Sequence, residues 1–445
     1  MKVLIIAPIF SPSNRIAAIR PTKLAKYFSR QEIDVTVITA PNILDIEDLI
    51  LMEDEKEIQE VVRIQNSKLY KKVYKIVYGG YRRFTDNKNV DANKTETSKN
   101  ISASHTQEHA VKKFVRSWMQ IWEDYDYTNQ VKRWVKSRTQ NYDVVLSTYG
   151  PFSSHMIGRY VKKRNPLMVW IADFRDTLQY ADERLLLGFW VRAFGKSTYK
   201  NANHIIGVSG GVIDDLHIPE KYLSRCAVIT NGFDHEDRYK LANAEVDPEQ
   251  KLRLLYTGQL YSGKRDLSIV FRAIRDLADE GELDLLKVEV LYAGGDGDKF
   301  IQQAQQYDMQ SIARNLGFIS RLDALTLQSA SNVLLLASWN NVGSTGIVTG
   351  KFLEYLMMNK PILCTITGNL PSSALKDMIN RANVGYCWEE ANGQTDYVGL
   401  KSFLYQQYKA AIGKEELDFD PNLDYIKQFS YEHIANQFVA LFPSD

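Results

Sequence analysis

The sequence predicts an α/β protein built from two doubly wound parallel-sheet domains. Three observations carry this. The chain has 445 residues, more than one ordinary core accommodates. Short apolar, β-branched runs alternate with amphipathic helical stretches, the pattern of βαβ units. The alternation breaks at the polar stretch FDHEDRYKLANAEVDPEQK (233–251), which reads as a linker, and then resumes.

KVLIIAP (2–8) is the first strand, followed by a helix around RPTKLAKYFSR and a second strand, DVTVITA (34–40). DVVLSTY (143–149), LMVWIAD (167–173), HIIGVSG (204–210) and CAVITNG (226–232) complete the first series. Beyond the linker stand LRLLYTG (252–258), VEVLYAG (288–294), NVLLLAS (332–338) and PILCTI (361–366). Runs this continuously apolar suit strands covered on both faces. Ligands of such sheets sit outside the carboxyl ends of the strands, so the loops that follow should carry the chemistry.

The region 42–141 departs from the alternation. Its polar tract, 87–109, reads as a mobile loop. Before it, SKLYKKVYKIVYGGYRRF (67–84) has helical spacing: Lys68, Lys71, Lys72 and Lys75 fall on one side. Leu69, Val73, Ile76 and Val77 fall on the other, the tyrosines flank them, and Arg82 and Arg83 extend the charge. Such a helix suits an anionic lipid surface, or else packs on the core with a solvated lysine face.

A formal net charge of +1 gives no global field to attract nucleic acid. Cys226, Cys364 and Cys387 are far apart and lack CxxC spacing, which fits a reducing compartment better than disulfides or zinc. The opening apolar run is too short to span a membrane and lacks a small-residue cleavage site, so it reads as a strand. PIFSPSNRIAAIRP follows that strand without a glycine, which argues against a dinucleotide oxidoreductase, and no GxxxxGK[ST] loop is present. No His/Asp/Cys cluster suggests a metal, and no cofactor is expected.

The site candidates follow strand ends. In LLYTGQLYSGKRDL, Gly258 lets backbone approach a ligand, while Lys264 and Arg265 could neutralise phosphate or simply form a solvated turn. In GSTGIVTGKFLEYL, Gly343, Gly346 and Gly350 bare the amides before a helix, which favours an anion such as a diphosphate. Glu354 could accept hydrogen bonds from ribose hydroxyls, with Lys351 paired to it or near the ligand. In STYGPFSSH, Thr148 and His155 face the next loop; His155 either lies on a helix surface or bonds a sugar hydroxyl. WIADFRD places Asp173, Arg175 and Asp176 after the following strand.

In this order the motifs resemble those of family-4 glycosyltransferases of the GT-B fold, over nearly the whole chain. The set comprises KVLIIAPIFSPSNRIAAIRPTKLAKYF, WIADFRD, IIGVSGGVIDDL, ITNGFD, YTGQLYSGKRD, LYAGGDG, NLGFISRLDALTLQSASNVLLL and GKFLEYLMMNKPIL. The resemblance is greatest to the subgroup that builds O-antigen, capsule and other surface polysaccharides. It implies two Rossmann-like domains facing a central cleft: an acceptor domain, 1–235, with a membrane-facing insertion at about 43–140, and a donor domain, 236–422. Residues 423–445 would form a helix returning to the first domain. Asn14 and Arg15 occupy a loop where relatives have two glycines. Gln259 replaces the family arginine, and Arg265 partly restores its charge. Lys264 matches the family lysine and Glu354 the second of two glutamates; the first falls on Gly346, eight positions earlier. Gly258, Gly294, Phe318, Ile319, Ile347, Val348, Thr349 and Lys351 complete the implied donor site.

The implied reaction retains the anomeric configuration and needs no metal. A nucleoside-diphosphate sugar, most simply of uridine, gives its sugar to a lipid-linked saccharide. Lys264, Glu354 and His155 are the residues implied in catalysis; Thr148, His155, Asp173 and Arg175 form the acceptor side. The protein would be cytoplasmic, peripheral on the inner membrane face, with Lys68, Lys71, Lys72, Lys75, Arg82 and Arg83 against the lipid. Trp118, Trp122 and Trp134 either anchor at that interface or pack in the core. The departures from the family pattern also admit an inactive sugar-nucleotide-binding subunit.

Overall fold

The computed structural model describes residues 1–42, 46–77, 102–138, 141–178, 186–239, 250–343 and 350–443, with backbone alone for 102–114, 186–187, 239 and 262. They fall into two compact units. The first comprises Met1–Glu47, Leu51–Thr230 and Ala435–Asp445, the second Asp48–Ile50 and Asn231–Ile434.

In the first unit, β1 (Lys2–Ile6), β2 (Asp34–Thr39), β3 (Glu60–Arg63), β4 (Val144–Thr148), β5 (Val169–Phe174), β6 (His204–Gly207) and β7 (Cys226–Val228) form one sheet, ordered β3-β2-β1-β4-β5-β6-β7. Each pairing is parallel; Val3 lies beside Val35 on one side and Val144 on the other. Val3, Leu4, Ile5 and Ile6 are all buried, as a central strand covered on both faces demands. The strand order reverses between β1 and β4, which opens a crevice at their carboxyl ends.

The second unit repeats the plan with β8 (Leu252–Thr257), β9 (Val288–Ala293), β10 (Ala313–Asn315), β11 (Val333–Trp339), β12 (Ile362–Thr367) and β13 (Gly385–Glu389), ordered β10-β9-β8-β11-β12-β13. Its sheet separates two cores. Leu254, Tyr256, Val290, Tyr292 and Leu335 pack on one face, and Leu255, Leu291, Leu334, Leu336 and Ile362 on the other. The reversal here lies between β8 and β11.

The expected α/β class and both parallel sheets are present. Three strands were not legible in the sequence: β3, β10 and β13, each at a sheet edge. EVVR and ARN are short and charged, as edge strands tolerate, so no apolar run marks them. β3 lies within 42–141, the region that departs from the alternation. The tract read as loop up to His109 gives way to a helix at Ser102, which runs to Ser137.

The helix Ile16–Arg30 buries charge alongside its apolar residues Leu24, Ala25 and Phe28. Lys23 and Lys26 are fully buried and reach the two oxygens of Asp54 at 2.6 and 3.0 Å. Arg20, one turn earlier, is 1% exposed. Two apolar rings close over this helix from the chain's end: Phe28 meets Phe438 and Phe442, with centroids 6.4 and 5.4 Å away.

Candidate functional site

Near the switch point of the second sheet stand seven of the predicted donor residues: Gly258, Gln259, Lys264, Arg265, Gly294, Lys351 and Glu354. Gly258 ends β8 at φ +121°, a conformation only glycine adopts readily. Its carbonyl accepts from the Tyr292 hydroxyl at 2.8 Å, and a Cβ on Gly294 would stand 2.2 Å from the same oxygen. Glycine at 294 is therefore a packing requirement. Asp296 fastens the turn by accepting from the Leu260 amide at 2.7 Å. Over Gly258 lies the Lys351 side chain, whose Cε would be 2.7 Å from a Cβ there.

Glu354 is the centre of this cluster. The helix Gly350–Met358 buries Phe352, Leu353, Tyr355 and Leu356, and leaves the Glu354 side chain 20% exposed. Its Oε1 accepts from Gln328 Nε2 at 2.7 Å and lies 3.6 Å from Lys351 Nζ. Burial alone would raise the Glu354 pKa; the charges of Lys351 and Arg321 and the Gln328 hydrogen bond outweigh it and hold the carboxyl below its usual range. Gln328 also donates to Thr257 Oγ1 at 3.2 Å, which ties the acid to the end of β8. Arg321 is braced by Asp48 at 2.8 Å and Asp237 at 3.5 Å. The result is an ionised carboxylate held by Gln328 and partly exposed among the described residues.

Lys264 and Arg265 lie in the turn that follows Gly258, their amides donating to the Tyr261 and Leu260 carbonyls. Their backbone is pinned to β12, since Thr367 Oγ1 donates to the Lys264 carbonyl at 3.1 Å and Thr365 Oγ1 to the Asp266 carbonyl at 2.7 Å. Lys264 is exposed; Arg265 is 8% exposed and donates through Nη1 to the Gln259 carbonyl at 3.2 Å. Gln259 thus enters through its backbone. Phe318, after β10, is 78% exposed and Ile319 is half-buried. Gly346, Ile347, Val348 and Thr349 lie outside the described residues; Gly343 and Gly350 border that gap.

The first unit arranges its residues differently. Asp173 is buried at the end of β5 and forms a two-point ion pair with Arg20, Nε to Oδ2 at 3.0 Å and Nη2 to Oδ1 at 2.9 Å. Thr148 Oγ1 donates to Asp173 Oδ2 at 3.1 Å. Arg175 spends its guanidinium on the carbonyls of Tyr149 and Gly150, at 2.7 and 3.3 Å, and of Ala17 at 2.5 Å. These groups shape the carboxyl edge of the sheet from beneath. His155, read as a helix-surface or sugar-binding residue, is instead 1% exposed, packed against Phe174 with its Nδ1 2.8 Å from Ser147 Oγ. Burial, with a smaller push from Arg175, lowers its pKa to about 3, so it stays neutral. Asn14 is half-buried and Arg15, heading the Ile16–Arg30 helix, is exposed.

On the helix 68–77, Lys68, Lys72 and Lys75 are exposed and Lys71 is half-buried. The helix packs through Tyr70, 5% exposed and 5.4 Å from the Trp122 ring, and not through the line of Leu69 and Ile76. Those two are each 65% exposed beside the lysines, and Trp118 is 50% exposed. Arg82 and Arg83 lie outside the described residues. No helix among the described residues is long and apolar enough to cross a membrane.

Sequence reading missed Gln328, Arg321 and Arg20. Arg321 and Gln328 are seven apart, one helical face, but nothing local says that this face meets Glu354.

No family model matches the chain, and no curated protein sequence matches it significantly. Solved structures do. A sucrose-phosphate synthase of Thermosynechococcus elongatus shares 14% identity at a TM-score of 0.53, over 99% of this chain and 98% of that one. HepE of Anabaena in complex with UDP shares 11% at 0.54, over 99% of both. The lipopolysaccharide outer core galactosyltransferase WaaB shares 12% at 0.51, over 99% of both. The chain therefore has the GT-B fold, two parallel-sheet α/β domains of seven and six strands.

Proposed function

We propose that this protein is a glycosyltransferase that takes a sugar from a nucleoside-diphosphate donor, uridine being the expected nucleoside, and passes it to a lipid-linked saccharide with retention. The observation that carries this reading is the arrangement around Gly258. An ionised Glu354 is paired with Lys351, which lies over Gly258, and two cations, Lys264 and Arg265, stand in the turn that follows Gly258. Glu354 would accept hydrogen bonds from ribose hydroxyls. Lys264 and Arg265 would stabilise the charge that develops on the diphosphate as it leaves. The diphosphate oxygen would take the acceptor's proton, so the buried His155 has no part in the chemistry. Arg20, Asp173, Thr148 and Arg175 would serve the acceptor side by holding its loops.

The fold of UDP-bound HepE and of WaaB supports a nucleotide-sugar substrate by analogy. Isothermal titration of the full chain with UDP, GDP and their common sugar derivatives tests the reading. Binding of one nucleotide in the micromolar range, and radiolabel transfer from its sugar derivative to a polyprenyl-diphosphate saccharide, are expected. Binding without transfer to any such acceptor would favour a noncatalytic subunit, which the Gln259 and Gly346 departures from the family pattern also suggest. No binding at all would end both readings.

The exposed lysines, Leu69, Ile76 and Trp118 support a peripheral place on an anionic membrane, with lysines at the headgroups and apolar side chains below them. Each lysine near such a surface contributes about 1 kcal/mol. Reversing Lys68, Lys72 and Lys75 to glutamate is therefore expected to reduce partitioning onto phosphatidylglycerol vesicles by at least ~100-fold. Equal sedimentation of variant and parent would refute the membrane role.

A further inference from the structure

The two cations after β8 are held by aromatic rings. The Arg265 guanidinium carbon lies 4.5 Å from the centroid of Tyr261 and 6.0 Å from that of Trp339. Lys264 Nζ lies 5.6 Å from the same Trp339 ring. Tyr261 and Trp339 meet edge to face, 6.1 Å apart at 62°. Trp339 comes from elsewhere in the chain: it is the last residue of β11, the strand across the switch point. Neither cation makes an ion pair among the described residues, and the buried Arg265 Nε has no hydrogen-bond partner.

This arrangement has an electrostatic consequence. A carboxylate beside Lys264 or Arg265 would fix the side chain but cancel its charge. An aromatic face attracts a cation through its quadrupole and carries no net charge, so it fixes the side chain and leaves the positive charge intact. Two like charges in one turn also repel each other, and a ring shared between them offsets part of that repulsion. An exposed lysine otherwise has many rotamers to lose when it meets an anion. Holding it beforehand removes that cost from binding.

We propose that Trp339 is a positioning residue of the donor site: its ring, with Tyr261, presents Lys264 and Arg265 as one cationic grip on a diphosphate. The inference rests on the reading of this sheet edge as the donor's site, but concerns only how the charge is held there. It gives Trp339 a role in affinity for the phosphates and none in affinity for the nucleoside.

The test compares the full-length protein with Trp339→Leu and Trp339→Phe, titrated with UDP, inorganic pyrophosphate and uridine. Trp339→Leu should weaken UDP and pyrophosphate by about three- to tenfold, the scale of one or two such contacts, and leave uridine unchanged. Trp339→Phe, which keeps a ring, should recover most of the loss. Equal affinity of Trp339→Leu and parent for UDP and pyrophosphate would overturn the inference while leaving the donor site in place. A parallel fall in uridine affinity would overturn it too, by showing a general loosening of the site. A parent chain that binds none of the three removes the donor site itself, and the grip with it.

Discussion

Replacing Arg20 with methionine is expected to destabilise the first unit by about 3–5 kcal/mol, the cost of leaving a buried charge without its partner. Arg20 does more than pair with Asp173. Its Nη1 donates to the Thr230 carbonyl at 2.5 Å and its Nη2 to the Ile229 carbonyl at 2.9 Å, while the guanidinium lies 5.3 Å from the Phe438 ring. One side chain thus joins the end of β5, the segment after β7 and the C-terminal helix segment of the same unit. Methionine fills most of the volume but satisfies neither Asp173 nor the two carbonyls. Adding Asp173→Asn should return a large part of the loss, because the uncompensated charge goes with it. Urea unfolding followed by far-UV circular dichroism measures both. A single variant within about 1 kcal/mol of the parent would show that the pair contributes little.

The second large effect concerns ligand binding. Glu354→Ala is expected to weaken UDP about 100-fold. Hydrogen bonds from two ribose hydroxyls to a charged carboxylate are worth about 3 kcal/mol together, and every 1.4 kcal/mol is a factor of ten. Uridine should lose affinity to the same degree, because the contact is with the pentose. Gln328→Leu separates support from contact. It removes the donor that steadies Glu354 Oε1, and should cost about tenfold in UDP affinity. It also removes a buried oxygen, Gln328 Oε1, that has no hydrogen-bond partner among the described residues, which offsets part of the stability lost with the bonds to Glu354 and Thr257. UDP affinity in Glu354→Ala equal to that of the parent would sink the assignment of the ribose to this residue.

Much of the architecture was legible because it rests on local pattern. VLII in β1 and VLLLAS in β11 are runs that only a doubly covered strand can bury, and these central strands define the sheets. Gly258, Lys264 and Glu354 could be singled out because strand ends and helix starts are where ligands of such sheets bind. Three of the four edge strands, β3, β10 and β13, were not legible, since edges need little apolar surface. Nor were the partners of the site. Gln328 lies 26 positions from Glu354 and Arg20 lies 153 from Asp173, separations across which sequence spacing carries no geometry.

The misread residues show the same division. His155 sits at the start of a helix after β4, a position open to either surface or core. Phe152, Phe174 and Tyr149 close around it and settle the matter. The burial of Lys23 and Lys26, which the sequence does not mark, follows from Asp54 being brought beside them. The amino-acid sequence by itself determined the sheets, their order of appearance and the ends at which chemistry is sought, because periodicity and burial act over a few residues. Tertiary structure alone decided which charges are buried in pairs, which stand unpaired against aromatic rings, and which acid is held ionised. Those outcomes depend on groups far apart in the chain, and on a local dielectric that exists only once the chain has closed around them.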